Sequence, residues 1–306
     1  MHTTCSVFRA MGTNVRCIVP SSRALRRVTH VVRDIFAREE RRFSRFRSDS
    51  ELARVNASDG SWIEVSEPFA QVMRLALSAW QRTEGRFDPT LLGAMIAAGY
   101  DRDFDEILAG ARDALRPAAP AGRAGEVELD GRRLRLPSGV GLDLGGIVKG
   151  WTVDRAADSV SSLGSSLGSS LRSSLGVPWI LVEAGGDLRV EGALPDGGLE
   201  IAIEDPQASD TEIGRVTISG GALATSCVTK RAWGPYTHHL IDPSVGIPVV
   251  GPVLQATVWA PTCAEAEIRS KDALLQGEDF LRRAPALLVL REGPVLTNFH
   301  TQERAA

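Results

Sequence analysis

Apolar residues recur along this chain in two rhythms, one of period two and one near 3.6. Alternation over residues 15–19 (Val-Arg-Cys-Ile-Val) predicts a strand. Leu25, Val28, Val32, Ile35 and Phe36 then recur at helical spacing behind Ser21 and Ser22, which are candidate caps. A second helix is marked more fully. Ser66 caps it, Glu67 and Pro68 fill its first turn, Phe69, Val72, Met73, Ala76 and Trp80 form one face, and Gly85 stops it. Val127 and Leu129 alternate into Asp130-Gly131, and Leu134 and Leu136 alternate out, which predicts a hairpin. Past residue 176 strands dominate, at 179–184, 188–190, 199–203, 216–218, 254–260 and 286–291. Between the last two, Thr262-Cys263-Ala264-Glu265 has the spacing of a capping box and opens a helix. Helices segregated from a mostly antiparallel sheet define an α+β fold, expected here as a single domain over 1–306.

Two stretches fit neither rhythm. Residues 116–125 are rich in Pro, Ala and Gly with no apolar face, so they are expected as a surface connection. Residues 161–176 are four copies of a Ser-Ser-Leu-Gly-like tetrapeptide, with Arg172 in place of one Gly. Repeated Gly and Ser weaken a helix, so this segment is expected as a low-complexity loop insertion between a helix and a strand.

Composition narrows the partners. With 43% hydrophobic and 24% charged residues the chain can bury a core, so disorder is not expected. A net charge of −3 gives no basic footprint for a phosphate backbone, which excludes nucleic acid as the expected partner. No run of about 18 apolar residues could span a bilayer, and Cys5 is not preceded by the apolar stretch a signal segment needs. A cytoplasmic protein is expected. Cys5, Cys17, Cys227 and Cys263 show no CxxC or metal-finger spacing and read as reduced thiols.

Five segments carry candidate chemistry. In 142–150 the pair Gly145-Gly146 precedes an apolar helical run, and the exposed amides at such a helix start, with Lys149 nearby, suit an anion such as a pyrophosphate. A plain turn fits the same residues. In 183–188, Gly185-Gly186-Asp187 makes a tight bend that permits close approach of a ligand to the backbone, or a simple hairpin. Thr225 and Ser226 place two hydroxyls at the end of a short apolar strand. In 236–246, His238, His239 and Asp242 crowd a Pro/Gly turn; an imidazole with a nearby carboxylate suits a general base, and neighbouring strand residues point to opposite faces, so at most one histidine reaches a site. Glu267 and Lys271 lie four apart on one helical face, as an ordinary surface pair also would.

Taken in order, these segments resemble the successive signatures of the ApbE family of FAD:protein FMN transferases. Phe8 to Thr13 is similar to its MGT element, and Phe43 to Asn56 resembles its S-x-(Y/F)-R-x-D-S-E-L-x-x-(L/V)-N segment. Gly85-Arg86-Phe87-Asp88-Pro89-Thr90 is similar to G-x-F-D-P-T, and Asp143 to Gly150 to D-L-G-(A/G)-I-x-K-G. Gly185-Gly186-Asp187, Ala224-Thr225-Ser226 and His239 to Gly246 resemble the G-G-D turn, the A-T-S strand and H-(I/L)-I-D-P-x-T-G, with Val245 where Thr is usual. The resemblance implies a two-lobed α+β fold with FAD between the lobes as substrate. It implies transfer of FMN to a Thr or Ser hydroxyl of an acceptor protein with loss of AMP; hydrolysis of FAD to FMN and AMP, or flavin binding without catalysis, are the alternatives. By the same resemblance His239 is the base and Asp242 orients it. Gly145, Gly146 and Lys149 hold the diphosphate, and Met11, Phe87, Asp88, Gly185, Gly186, Asp187, Thr225 and Ser226 line the FAD site. The resemblance further implies Mg²⁺ held by the carbonyl of Gly146 and by the side chains at positions 267 and 271. Here Glu267 replaces the family's Asp and Lys271 its Thr. A protonated lysine has no lone pair to give, so either the metal has fewer ligands or the ammonium itself supplies the charge.

Overall fold

A computed structural model describes residues 3–109, 122–163, 177–208, 210–234 and 236–299. Its centre is an eight-stranded antiparallel sheet of β1 (Thr4–Ala10), β2 (Thr13–Val19), β3 (Trp179–Ala184), β4 (Asp187–Gly192), β5 (Gly221–Cys227), β6 (Val253–Ala260), β7 (Ala286–Leu290) and β8 (Val295–Thr297). These strands stand side by side in chain order, so the sheet is a meander and everything else in the chain is an excursion between neighbours. The expected fold class and mostly antiparallel sheet are borne out. β1 and β8 go beyond the expectation.

Strand alternation decides which side of the sheet each excursion covers. Val15, Cys17, Val19, Ile180, Val182, Ala184, Ala222 and Ala224 point to one face. They pack on the helices α1 (Ser22–Phe43), α3 (Val148–Leu163) and α4 (Cys263–Gln276), through Val28, Val32, Phe36, Val153, Ala157 and Ala266. Trp179, Leu181, Leu188, Val190 and Leu223 face the other way, against Ile203, Val216 and Ile218 of the hairpin formed by Leu199–Glu204 and Glu212–Ile218. A second core surrounds α2 (Glu67–Arg82), where Phe69, Val72 and Met73 meet Phe43, Leu134, Leu142 and Ile147.

Two β-turns in the sheet are of the tight two-residue kind. Ala10 pairs with Thr13 across Met11-Gly12, and Ala184 with Asp187 across Gly185-Gly186. All four turn residues have positive φ, at 50°, 67°, 62° and 94°. That matches the twist of the flanking strands but strains a side chain at Met11. Its N–H is anchored to Glu40 Oε1 at 2.9 Å.

The expected helices form with altered ends. α1 runs on to Phe43, and Ser21 stands at its N-cap position without a side-chain bond. Ser66 does cap α2, accepting from Phe69 N–H, and Thr262 caps α4, accepting from Glu265 N–H at 3.3 Å. The reciprocal half of that capping box is missing, since Glu265 pairs with Arg82 and Arg269 instead. α3 continues through Leu163, so the expected loop at 161–176 begins at least three residues later; 164–176 lie outside the described residues, as do 110–121. No described helix is long and apolar enough to cross a membrane.

Candidate active site

The segment 142–150 is held from below by residues of the helical core. Asn56 pairs with the backbone of Leu142 in both directions, donating from Nδ2 to Leu142 O at 3.0 Å and accepting Leu142 N–H at 2.7 Å. Arg45 reaches Asp143 Oδ2 at 3.0 Å and donates to Tyr100 O at 2.7 Å, with its guanidinium over the Tyr100 ring. Asp143 Oδ1 in turn accepts Gly145 N–H at 2.8 Å. The two glycines before α3 are therefore fixed in place by ionic contacts, not by their own flexibility. A Cβ on Gly146 would sit 3.0 Å from Lys271 Cε and 3.3 Å from the Phe87 ring, so Lys271 and Phe87 both close in on the bare glycine.

Next to Gly146 lies a quartet of charges, two buried carboxylates and two half-buried lysines. Lys149 Nζ contacts Asp187 Oδ2 and Glu267 Oε1, both at 2.5 Å. Glu267 Oε2 accepts Gly150 N–H at 2.9 Å, and Lys271 Nζ lies 3.6 Å from Glu267 Oε1 and donates to the Glu267 carbonyl at 3.1 Å. Three elements of the fold meet here: α3 brings Lys149, the β3–β4 turn brings Asp187, and α4 brings Glu267 and Lys271 one turn apart. Burial pushes the Asp187 carboxyl up from its ordinary value, and Lys149 only partly offsets it. For Glu267 burial also pushes upward, but Lys149, Lys271 and the Gly150 amide outweigh it and the carboxyl stays below its ordinary value. Both carboxylates touch Lys149 equally; Glu267 has the extra amide and the second ammonium, so we take it as the more firmly ionised of the pair. For Lys149 the two anions outweigh burial and raise its pKa, whereas burial depresses that of Lys271.

α3 and α4 are locked together at the same point. A Cβ on Gly150 would meet the Cys263 carbonyl at 2.6 Å, so only glycine permits this approach. One turn on, Asp154 accepts Cys263 N–H at 2.8 Å and Ala264 N–H at 2.9 Å, and Arg189 braces it at 3.0 Å. Asp154 thereby satisfies the first amides of α4 and places a negative charge at its positive end. The sequence signal for Asp154 was a carboxylate on the otherwise apolar face of Val153, Ala157 and Val160, and it was not singled out.

The two histidines separate as strand geometry requires. Both ring nitrogens of His238 are engaged with backbone, Nε2 with Val249 O at 3.1 Å and Nδ1 accepting Leu240 N–H at 3.2 Å. That fixes a neutral Nε2–H tautomer, and burial lowers its pKa. His239 has a buried Nδ1 with no partner among the described residues. Its pKa is held well below 6.5, first by burial, then by the charges of Arg231, Lys271, His238 and Lys149. The expected contact from Asp242 does not form. Asp242 Oδ1 instead accepts from Ser244 N–H at 2.9 Å and from Ser244 Oγ at 2.6 Å, building the turn that carries Val245 and Gly246. A short polar turn of this kind engages Oδ1 of the carboxylate locally and turns Asp242 to its own loop.

Other expected residues also have internal partners. Asp88 is buried, accepts from Thr90 N–H at 2.7 Å and faces Ala124 N–H, tying its turn to the strand pair beyond. Ser226 bonds Ser270 at 2.7 Å on the α4 side of β5, whereas Thr225 bonds Thr257 at 2.9 Å on the opposite side. Adjacent strand residues point to opposite faces, so the two hydroxyls cannot meet one ligand from the same side. Thr225 stands beside Gly186, and Gly185 beside Thr13, with no room for a Cβ on Gly185.

The donor set does not fit Mg²⁺. Glu267 already accepts from Lys149 and Gly150 with its two carboxylate oxygens, and Lys271 offers three donors and no acceptor. Among the described residues no cluster of three or more His, Cys, Asp or Glu could hold a metal. A divalent ion about 4 Å from one ammonium is repelled by about 8 kcal/mol at an effective dielectric near 20, and this position has two ammoniums beside it.

The chain is 28% identical to an FAD:protein FMN transferase of Vibrio cholerae over 273 residues, 85% of this chain and 75% of that protein. It is 26% identical to the Haemophilus influenzae protein of the same name, over 81% of this chain and 71% of the other. The crystal structure of the ApbE protein of Thermotoga maritima superposes with a TM-score of 0.80 at 25% identity, covering 97% of both chains. The model of the ApbE family matches residues 11–288, so the chain belongs to the ApbE family.

Proposed function

We propose that this protein transfers FMN from FAD to a Ser or Thr hydroxyl of an acceptor protein, releasing AMP. The observation that carries the reading is His239: a buried, neutral imidazole with an unpartnered nitrogen, in the field of Lys149, Lys271 and Arg231. The acceptor oxygen attacks the phosphorus on the FMN side and forms the new P–O bond. The P–O bond to the AMP half breaks with its electron pair on the leaving phosphate, and the hydroxyl proton passes to His239. An imidazole kept deprotonated by burial and, after it, by neighbouring cations gains basicity once an anionic diphosphate offsets those cations, so the site becomes a stronger base when the substrate is bound. Positioning and charge compensation supply most of the rate in such a transfer. Gly145, Gly146 and Lys149 hold the diphosphate, Met11 and Phe87 flank the dinucleotide, and the backbone at Gly185-Gly186 lets it approach β5. Four unpaired cysteines, three of them buried, support a reducing compartment, which we take to be the cytoplasm.

The test is incubation of the full chain with FAD and candidate acceptor proteins, with in-gel flavin fluorescence and intact mass as readouts. We expect an acceptor heavier by one FMN and one AMP per label. FMN and AMP formed at the same rate without an acceptor would favour hydrolysis. In His239→Ala we expect transfer lost and FAD binding kept; labelling at the parent rate would remove His239 from the reaction.

A further inference from the structure

The position expected to hold a divalent cation is instead built around a second ammonium. Lys271 projects from α4 along Glu267, and its aliphatic end lies over Gly146, in the glycine turn before α3. The quartet Lys149, Lys271, Asp187 and Glu267 balances at zero formal charge, with both oxygens of Glu267 already engaged by donors. A divalent ion would have to displace a lysine from a carboxylate and remain beside it. An incoming diphosphate meets the opposite situation, because Lys271 has donors to spare and only one carboxylate, at 3.6 Å, and one carbonyl, at 3.1 Å, for partners.

We infer that Lys271 takes the place of the metal, so that this protein binds the FAD diphosphate with two ammoniums and requires no divalent cation. The inference rests on the proposed FAD site. It also explains why Glu267 is longer than the residue it replaces in the family pattern: the extra methylene carries the carboxylate to Lys149 and the Gly150 amide and leaves the space over Gly146 to Lys271.

FAD binding by the full chain, followed by flavin fluorescence in metal-stripped buffer with EDTA and again with excess MgCl₂, tests this directly. The two dissociation constants should agree within about twofold, and Mn²⁺ titrated into the protein and FAD should give the electron paramagnetic resonance signal of Mn²⁺ with FAD alone. Binding weakened about tenfold or more by EDTA, or one Mn²⁺ immobilised per protein, overturns the inference while leaving the FAD site standing. Absence of FAD binding in both buffers overturns the site itself, and the inference with it. Lys271→Thr should lose about tenfold in affinity in EDTA and recover part of it with Mg²⁺, whereas Lys271→Met, which offers no oxygen, should lose a similar amount and recover none. If neither variant folds, the parent titration decides alone.

Discussion

Replacing Lys149 by Met leaves its volume nearly unchanged and removes the one cation shared by Asp187 and Glu267. Those carboxylates, 3% and 1% exposed at the side chain, would then face each other with only Lys271 nearby. Breaking a buried pair by removing one partner costs about 3–5 kcal/mol. Lys271, 3.6 Å from Glu267, keeps part of the compensation and places the expected loss near the lower end, at about 3 kcal/mol at pH 7.5. The pH dependence has a definite sign. In the variant both carboxyl pKa values rise above those of the unfolded chain, so the folded state holds more protons in between and stability falls as pH rises. Urea unfolding followed by tryptophan fluorescence at pH 7.5 and pH 5.5 reads both quantities. A loss below about 1 kcal/mol, or a deficit that grows on acidification, would refute the account of the quartet.

Asp154→Ala removes the acceptors of two helix-start amides and should destabilise by about 2–3 kcal/mol, with weaker FAD binding because α4 carries Lys271; unfolding free energies within about 0.5 kcal/mol of the parent would show the lock to be idle. The acid limb of kcat/KM, which reports the free enzyme, should fall below pH 6.5 because His239 is depressed by burial and by Arg231, Lys271, His238 and Lys149. A limb centred at or above 6.5 would remove that environment from the mechanism.

Periodicity exposed most of the sheet, and turn chemistry exposed its tight bends, because both are written in residues close together in the chain. β1 was missed because Thr4 and Ser6 are polar on its inward face and Val7 is exposed on its outward one, which blurs the alternation. At the site, motif resemblance rather than any single-residue signal drew Lys149, Asp187, Glu267 and Lys271 together with His239. What the sequence could not express was pairing across long separations: Lys149 with Glu267, Asn56 with Leu142, Arg45 with Asp143, Asp154 with the start of α4. Asp242 shows the converse error. Proximity in sequence suggested that it serves His239, but a hydroxyl two residues away satisfies it first. The family pattern contained Arg45, Glu51 and Asn56 without giving them roles; Glu51, which receives both the N–H and the hydroxyl of Ser66, is a brace between two helices.

Bare main chain against main chain at Gly150 and Cys263 leaves no lever arm between the helix that carries one lysine and the helix that carries the other. The spacing of the two positive charges is thus cast into the scaffold before any substrate arrives, and a dinucleotide must conform to it. Little solvent or side-chain rearrangement then remains for the moment of reaction, which is the circumstance in which fixed charges act most strongly on a bond being broken.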